Sequence, residues 1–284
     1  MLTLGCHLSC AKGFAAMGLD AIGIGANTFA YFTRNPRGGS VRALDAADVA
    51  GLAHEMDQHG FGMLVAHAPY TLNLASAKPE VRAFGREAMA DDLTRLDSLP
   101  SSYYNFHPGS HVGQGVDAGI ELIAQGLDEA LERPHRARVL LETMSGKGSE
   151  VGGTFEELRA IMDASSHGDE LGVCLDTCHV SDAGYDIIGD LDGVLDEFDH
   201  VIGLDRLCAL HVNDSKNPPA SHKDRHERIG EGTLGIDTFR AIVTNGRLSR
   251  LPMILETPND LDGWAREIAM LRGLADDAPS RDEA

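Results

Sequence analysis

Six residues of metal-ligand type recur along the chain at near-regular steps. They are His67, His107, Glu142, Asp176, His211 and Glu256, and the steps between them are 40, 35, 34, 35 and 45 residues. Each follows a short apolar run, as in Val-Ala-His, Asn-Phe-His, Leu-Leu-Glu, Cys-Leu-Asp, Ala-Leu-His and Ile-Leu-Glu. Three imidazoles and three carboxylates gathered in one place would be costly to bury unpaired. Bound cations remove that cost, and His with Asp or Glu is the ligand mix of zinc or manganese. One His or Glu at a strand end is ordinarily a hydrogen-bonded structural residue. Six in phase at such steps call for a common role. His179 lies three residues beyond Asp176, and a later loop carries Asp-Arg-His at 224–226. In extended chain Asp224 and His226 point the same way, so His179, Asp224 and His226 could hold a further ion.

The elements that must position these residues follow from the same spacing, since each step is about the length of one strand–helix unit. Candidate strands are Leu2–Leu8, Thr28–Thr33, Gly62–Ala66, Tyr103–Phe106, Arg138–Leu141, Leu171–Leu175, Cys208–Val212 and Pro252–Leu255. Helical periodicity runs through Ala46–His59, Pro79–Leu99, Asp117–Glu132, Thr154–Ala164, Asp190–Asp199, Ile236–Val243 and Trp264–Leu274. Eight strands alternating with helices predict parallel βα units. Eight units in 284 residues fit a closed (β/α)8 TIM barrel better than an open sheet. In that fold the ligand positions meet at the C-terminal rim, where barrels of this kind carry their sites. The second strand is the least determined, because Asp20–Ala26 is as strand-like as Thr28–Thr33. The Gly-Ile-Gly at 23–25 lacks the third glycine of a dinucleotide fingerprint.

Composition bounds the class. Hydrophobic residues make up 43% of the chain, enough for one sizeable core. No linker or composition shift divides it, so residues 1–274 read as one domain, and 275–284 as a disordered acidic tail. No apolar run is long enough to span a membrane and no signal peptide is visible, which makes the cytoplasm the expected location. The five cysteines, Cys6, Cys10, Cys174, Cys178 and Cys208, form no CxxC pair and read as reduced thiols. The formal charge is −20, with only five lysines. That balance fits either a surface adapted to high salt or an ordinary acidic protein, and it speaks to solubility rather than fold. Cations are nevertheless kept locally. Residues 33–42 carry Arg34, Arg37 and Arg42 without an acid, and loop 213–228 carries Lys216, Lys223, Arg225 and Arg228. His54, His59, His135, His167 and His200 read as surface histidines, whereas His7, His111 and His222 lie near ligand segments.

Taken in order, these motifs resemble the endonuclease IV family of abasic-site endonucleases. The matching stretches are Gly-Cys-His-Leu-Ser at 5–9, Phe-Thr-Arg-Asn-Pro-Arg at 32–37, His-Ala-Pro-Tyr at 67–70 and Asn-Phe-His-Pro-Gly-Ser-His at 105–111. They continue with Val-Cys-Leu-Asp-Thr-Cys-His at 173–179, His-Val-Asn-Asp-Ser-Lys at 211–216, Asp-Arg-His at 224–226, Ile-Gly-Glu-Gly at 229–232 and Ile-Leu-Glu-Thr at 254–257. The resemblance implies a monomer with a trinuclear centre, holding three Zn2+ ions or Mn2+ at the third position. His67, His107 and Glu142 would hold the first ion. Glu142, Asp176, His211 and Glu256 would hold the second, with Glu142 bridging, and His179, Asp224 and His226 the third. Glu142 and Glu256 would be the catalytic carboxylates. The implied reaction is hydrolysis of double-stranded DNA 5′ to an abasic nucleotide, leaving a 3′-hydroxyl and a 5′-deoxyribose phosphate, with trimming of blocked 3′ ends beside it. Coordination lowers the pKa of water to about 7, which supplies a nucleophile at neutral pH. Flipping a sugar into a recessed cup costs least where no base is paired. Arg37 and Tyr70 match positions that enter the duplex, and Arg34, Lys216 and Arg225 would meet phosphates. The sequence departs from the family at Thr71, where an apolar wedge is expected, at Gly38-Gly39-Ser40, where bulkier residues are common, and at Thr143, often Asn.

Two other readings compete. A divalent-metal sugar isomerase or epimerase uses the same barrel, with one or two ions held largely by carboxylates. It has no need of the Asp-Arg-His loop or of arginines on the rim. A non-catalytic metal- or DNA-binding protein would be expected to have lost a ligand, and all nine are present.

Overall fold

The computed structural model describes residues 1–277. Eight parallel strands close a barrel: β1 (Leu4–Leu8), β2 (Ala30–Phe32), β3 (Leu64–His67), β4 (Ser102–Phe106), β5 (Val139–Glu142), β6 (Gly172–Asp176), β7 (Leu207–His211) and β10 (Met253–Leu255). Between β7 and β10 lies a small antiparallel hairpin, β8 (Asp214–Ser215) and β9 (His226–Glu227). Around the barrel run α1 (Phe14–Gly23), α2 (Ala46–His59), α3 (Pro79–Leu96), α4 (Val116–Ala130), α5 (Phe155–Ala164), α6 (Thr177–Ala183), α7 (Leu191–Val201), α8 (Ile236–Thr244) and α9 (Leu261–Asp276). No described helix is long and apolar enough to cross a membrane.

The pleat of the strands decides what reaches the rim. Ala30, Val65, Leu140, Cys174, Ala209 and Ile254 form an apolar cluster of their own, separate from the larger core packed between strands and helices. Side chains alternate across a strand. Two residues beyond Val65, Leu140, Cys174, Ala209 and Ile254 stand His67, Glu142, Asp176, His211 and Glu256. The apolar plug of the barrel thus fixes, by parity, that these five side chains face the barrel axis one layer higher.

Local signals account for the helix ends. Asp45 accepts from the Ala47 N–H at the start of α2, which stops at Gly60 in a left-handed conformation (φ 62°). Thr154 accepts from the Glu157 N–H at the start of α5, and Pro79 opens α3. Gly5 in β1 allows the next segment to pass: a Cβ there would lie 1.8 Å from the Thr28 carbonyl oxygen.

The expected elements are present, with shifted ends and some additions. Asp20–Ala26 is not a strand, because Phe14–Gly23 is a helix whose first two free N–H groups donate to Asp48 at 2.7 and 2.9 Å. That cap comes from α2, some thirty residues away, and has no local trace in the sequence. Thr177–Ala183, for which no element was expected, is a short helix capped by Asp176. The third strand runs on to His67, and the last helix begins at Leu261 behind an Asp260 cap and continues to Asp276. Ala275 and Asp276 of the expected tail are therefore helical, while 278–284 lie outside the described residues. All five cysteines are free.

Candidate metal centre

The barrel delivers four ligand-type side chains on the last residues of its strands: His67, Glu142, Asp176 and His211. His107 and Glu256 stand one residue beyond β4 and β10. Asp176 also begins α6, and its Oδ1 accepts the His179 N–H at 2.9 Å, which turns His179 back over the cup. The β8–β9 hairpin pairs Ser215 with His226 and brings the Asp224–His226 segment to the same place. Three groups of ligand atoms result, each with its members within 4.8 Å of one another: His67, His107 and Glu142; Glu142, Asp176, His211 and Glu256; and Asp176, His179 and His226. Glu142 joins the first two groups and Asp176 the last two. Asp224 borders the third, its Oδ1 lying 3.2 Å from His179 Nε2 and 3.7 Å from His226 Nε2. All nine expected ligands thus meet in one continuous cup.

The rings are held in orientations that suit cations. A backbone carbonyl can only accept, so the ring nitrogen facing it must carry the proton. Ala68 O takes His67 Nδ1–H at 2.7 Å, Thr143 O takes His179 Nδ1–H at 2.8 Å, and Glu256 O takes His226 Nδ1–H at 3.3 Å. Each ring then turns its Nε2 toward the cup, the arrangement by which metal-binding histidines are normally oriented. His211 is turned the other way: its Nδ1 faces Glu142 at 2.9 Å, Glu256 at 3.3 Å and Asp176 at 3.9 Å. Buried His226 Nε2 lacks a hydrogen-bond partner, as does His211 Nε2 on the far side of its ring.

Electrostatics point the same way. Burial would lift the Glu142 carboxyl, yet His211 and His107 beside it hold it well below the usual range. Glu256 is likewise held low against its burial by His211 and His7. Burial alone would lower the imidazoles, but Asp176, Asp224 and Glu142 raise His179 well above 6.5, and Cys174, Glu256 and Glu142 do the same for His211. Asp224 falls to about 2 despite burial, through His179 and His226. Without cations this is a cage in which protons on histidines balance buried carboxylates. Divalent ions can replace those protons, so the donor set fits them.

Several residues that the spacing argument passed over complete the site. Asn105, fully buried, donates to Glu142 Oε2 at 2.7 Å. Asn213 donates to Asp176 Oδ2 at 2.7 Å, and its side-chain oxygen takes the Glu256 N–H at 2.8 Å. Thr143 Oγ1 accepts the Asp176 N–H at 2.9 Å. Both asparagines stand inside ligand motifs, two residues from a histidine on the same face of the strand, and that parity is the signal that could have found them. His7 lies 2.8 Å from Glu256 Oε1. His111 accepts from the N–H groups of Gly113 and Gly115, and His222 bonds Ser145 O, so both order rim loops.

On the rim, Arg37 and Arg225 are exposed, Tyr70 is 62% exposed, and Lys216 is half exposed near Glu227. Tyr70 stacks edge-on to Phe32 at 5.0 Å, and its N–H donates to Pro36 O, which ties two rim loops together. Arg34 does not belong with them. It is turned inward, 8% exposed, and paired with Asp91 and Asp92 of α3, so its expected contact with phosphates is corrected. Sequence alone could not show that two acids 57 and 58 positions away lay beneath it.

Comparison with known proteins agrees with this geometry. A family model described as a xylose isomerase-like TIM barrel matches residues 19–274. The chain is 56% identical over 272 residues to a protein of Alkaliphilus oremlandii named "Probable endonuclease 4", covering 96% of this chain and 97% of that one. It is 52% identical over 274 residues to a protein of the same name in Clostridium beijerinckii, covering 96% and 99%. The crystal structure of endonuclease IV from Thermus thermophilus superposes with a TM-score of 0.86 at 33% identity, covering 97% of this chain and 100% of that one. By identity maintained over nearly its whole length, the chain belongs to the endonuclease IV family.

Proposed function

We propose that the protein is a DNA-repair nuclease of the cytoplasm, acting as a monomer, that hydrolyses the phosphodiester 5′ to an abasic nucleotide in double-stranded DNA. It leaves a 3′-hydroxyl and a 5′-deoxyribose phosphate, and trims blocked 3′ ends by the same chemistry. Residues 1–274 constitute the nuclease. The observation that carries this reading is the cup of nine ligand-type residues beneath a rim bearing Arg37, Tyr70, Lys216 and Arg225.

His67, His107 and Glu142 would hold one divalent ion, Glu142, Asp176, His211 and Glu256 a second, and His179, Asp224 and His226 a third, all zinc or with manganese at the third. When bound, such ions supply a water ionised near neutral pH and positive charge for the phosphate oxygens. The protein does the rest. Glu142 spans two of the groups and fixes their separation. Glu256, held by His7 and by the Asn213 contact to its backbone, would help orient the attacking water. Asn105 and Asn213 keep the carboxylates from rotating. Tyr70 and Arg37 stand at the mouth, where an unstacked sugar must pass, and Arg225 and Lys216 face the backbone beyond it.

A sugar isomerase would use one or two ions and leave the third group without purpose, so the nuclease reading is preferred. The test is a duplex with one tetrahydrofuran abasic analogue, beside an undamaged duplex. Incision 5′ to the analogue, with a new 3′ end that a polymerase extends, supports the proposal. Equal cutting of both duplexes, or a blocked 3′ end, contradicts it.

A further inference from the structure

Residues 33–42 form an exposed rim loop without regular structure, yet it is fastened along its length to one side of α3. Arg34 donates from Nε and Nη2 to Asp92 Oδ1 at 3.0 and 2.7 Å, and from Nη2 to Asp91 Oδ2 at 2.8 Å and Ala88 O at 3.0 Å. Its Nη1 reaches across the loop to Gly39 O at 3.1 Å. The other oxygen of Asp92 accepts from Thr33 Oγ1 at 2.7 Å and Tyr104 OH at 3.0 Å. At the far end, Arg95 donates to Arg42 O at 2.8 Å. Gly39 lies against the Phe84 ring, and a Cβ there would come within 2.8 Å of it. Phe84, Ala88, Asp91, Asp92 and Arg95 follow helical spacing, so they share one face of α3. The loop also holds its neighbours: Pro36 O takes the Tyr70 N–H at 3.1 Å, and the Thr33 N–H donates to His67 O at 3.2 Å.

We propose that this face of α3 is a cradle for the lesion-reading loop, and that Arg34 and Asp92 are positioning residues whose latch presets Arg37 and Tyr70 for the abasic duplex. The inference rests on the nuclease reading above. Asp92 is completely buried and Arg34 nearly so, and a buried ion pair often stabilises a fold less than apolar packing of the same volume. Its effect here is geometric. A loop with adjacent glycines, Gly38 and Gly39, would otherwise lose its freedom only on meeting DNA, and that ordering cost would weaken binding. With the latch, the ordering is complete once the protein has folded. It also explains how Gly-Gly-Ser can stand at 38–40 where bulkier residues are common in the family: the loop is shaped from beneath by Arg34 and Phe84.

The test uses the metal-loaded enzyme, an abasic-analogue duplex, and three kinds of change: Asp92→Asn, Arg34→Lys beside Arg34→Met, and Gly39→Val, which pushes the loop off Phe84 while keeping both members of the Arg34–Asp92 pair. A latch predicts that Asp92→Asn and Gly39→Val raise KM about tenfold or more while kcat stays within about twofold. Metal content stays at the wild-type value, trypsin cuts faster after Arg37, and Arg34→Lys falls between wild type and Arg34→Met. Unchanged KM and unchanged tryptic cutting in Gly39→Val would overturn the proposal. So would a loss confined to kcat and accompanied by lost metal, which would mark the pair as part of the fold alone. If the wild type fails to incise, the nuclease reading falls, and the rate of cutting after Arg37 alone then decides whether the latch exists.

Discussion

Five of the nine ligand-type side chains are oriented by groups outside the ligand set. Backbone carbonyls set His67, His179 and His226, and the amides of Asn105 and Asn213 set Glu142 and Asp176. Loss of such a support typically costs about 10- to 100-fold in metal affinity or activity. Asn105→Ala is therefore expected to weaken zinc binding by about that factor, read by competition with a zinc chelator, with the melting temperature of the metal-loaded protein little changed. Unaltered affinity would mean that Glu142 is held by its histidines alone. Glu256→Gln is expected to lower kcat on an abasic duplex by about 10²- to 10³-fold with little change in KM; near-normal kcat would remove Glu256 from the chemistry. The protons tell a further story. His179 and His211 are raised well above 6.5 when no cation is present. Their contribution to the stability of the metal-free fold is full below about pH 6.5 and lost as pH rises through the raised values. Metal-free protein should therefore melt at progressively lower temperature above about pH 6.5 while metal-loaded protein does not, and zinc uptake at about pH 7 should release protons, measurable by calorimetry in buffers of different ionisation heat. Parallel melting curves for the two forms would contradict this. At this scale the sequence was highly legible, because spacing, residue type and strand parity are all local. Arg34 was misread because exposure is decided by partners from another element.

The ligands of the first two groups stand on strand ends or one residue beyond them, whereas the third also depends on a short helix and a loop. Asp182 in α6 accepts the Asp224 N–H at 2.9 Å and the Ser215 hydroxyl at 2.8 Å. Asp224 itself adopts a left-handed backbone (φ 53°), which persists only if its surroundings enforce it. Asp182→Ala is expected to release this segment and lose about one of three ions while the barrel stays folded. Elemental analysis with circular dichroism checks it, and full metal content would show that the loop holds its own shape. Element existence was legible from alternation and periodicity. What escaped were pieces with little internal signal: α6, of seven residues, and α1, where Ala-Ile-Gly-Ile-Gly-Ala reads as strand until the Asp48 cap on its N-terminus is seen.

For the whole molecule, the barrel places its chemistry at one mouth while a charge of −20 covers the chain. Self-repulsion of that size is screened by salt. The melting temperature is expected to rise as KCl goes from low to molar concentration, and a steady fall would show that local ion pairs outweigh net charge. DNA affinity should move the opposite way, since phosphate contacts weaken with salt. The barrel itself was legible because eight similar units leave few ways to close. Which loops cross the rim, and what pins them, was not, because those contacts join residues tens of positions apart. The most direct test of the central claim is reconstitution: strip the metals with a chelator, return zinc in steps, and follow 5′ incision of the abasic duplex against bound metal. The account predicts no incision in the stripped protein and full activity only as binding approaches about three ions per chain. Full activity at about one ion, or activity that survives stripping, would contradict it.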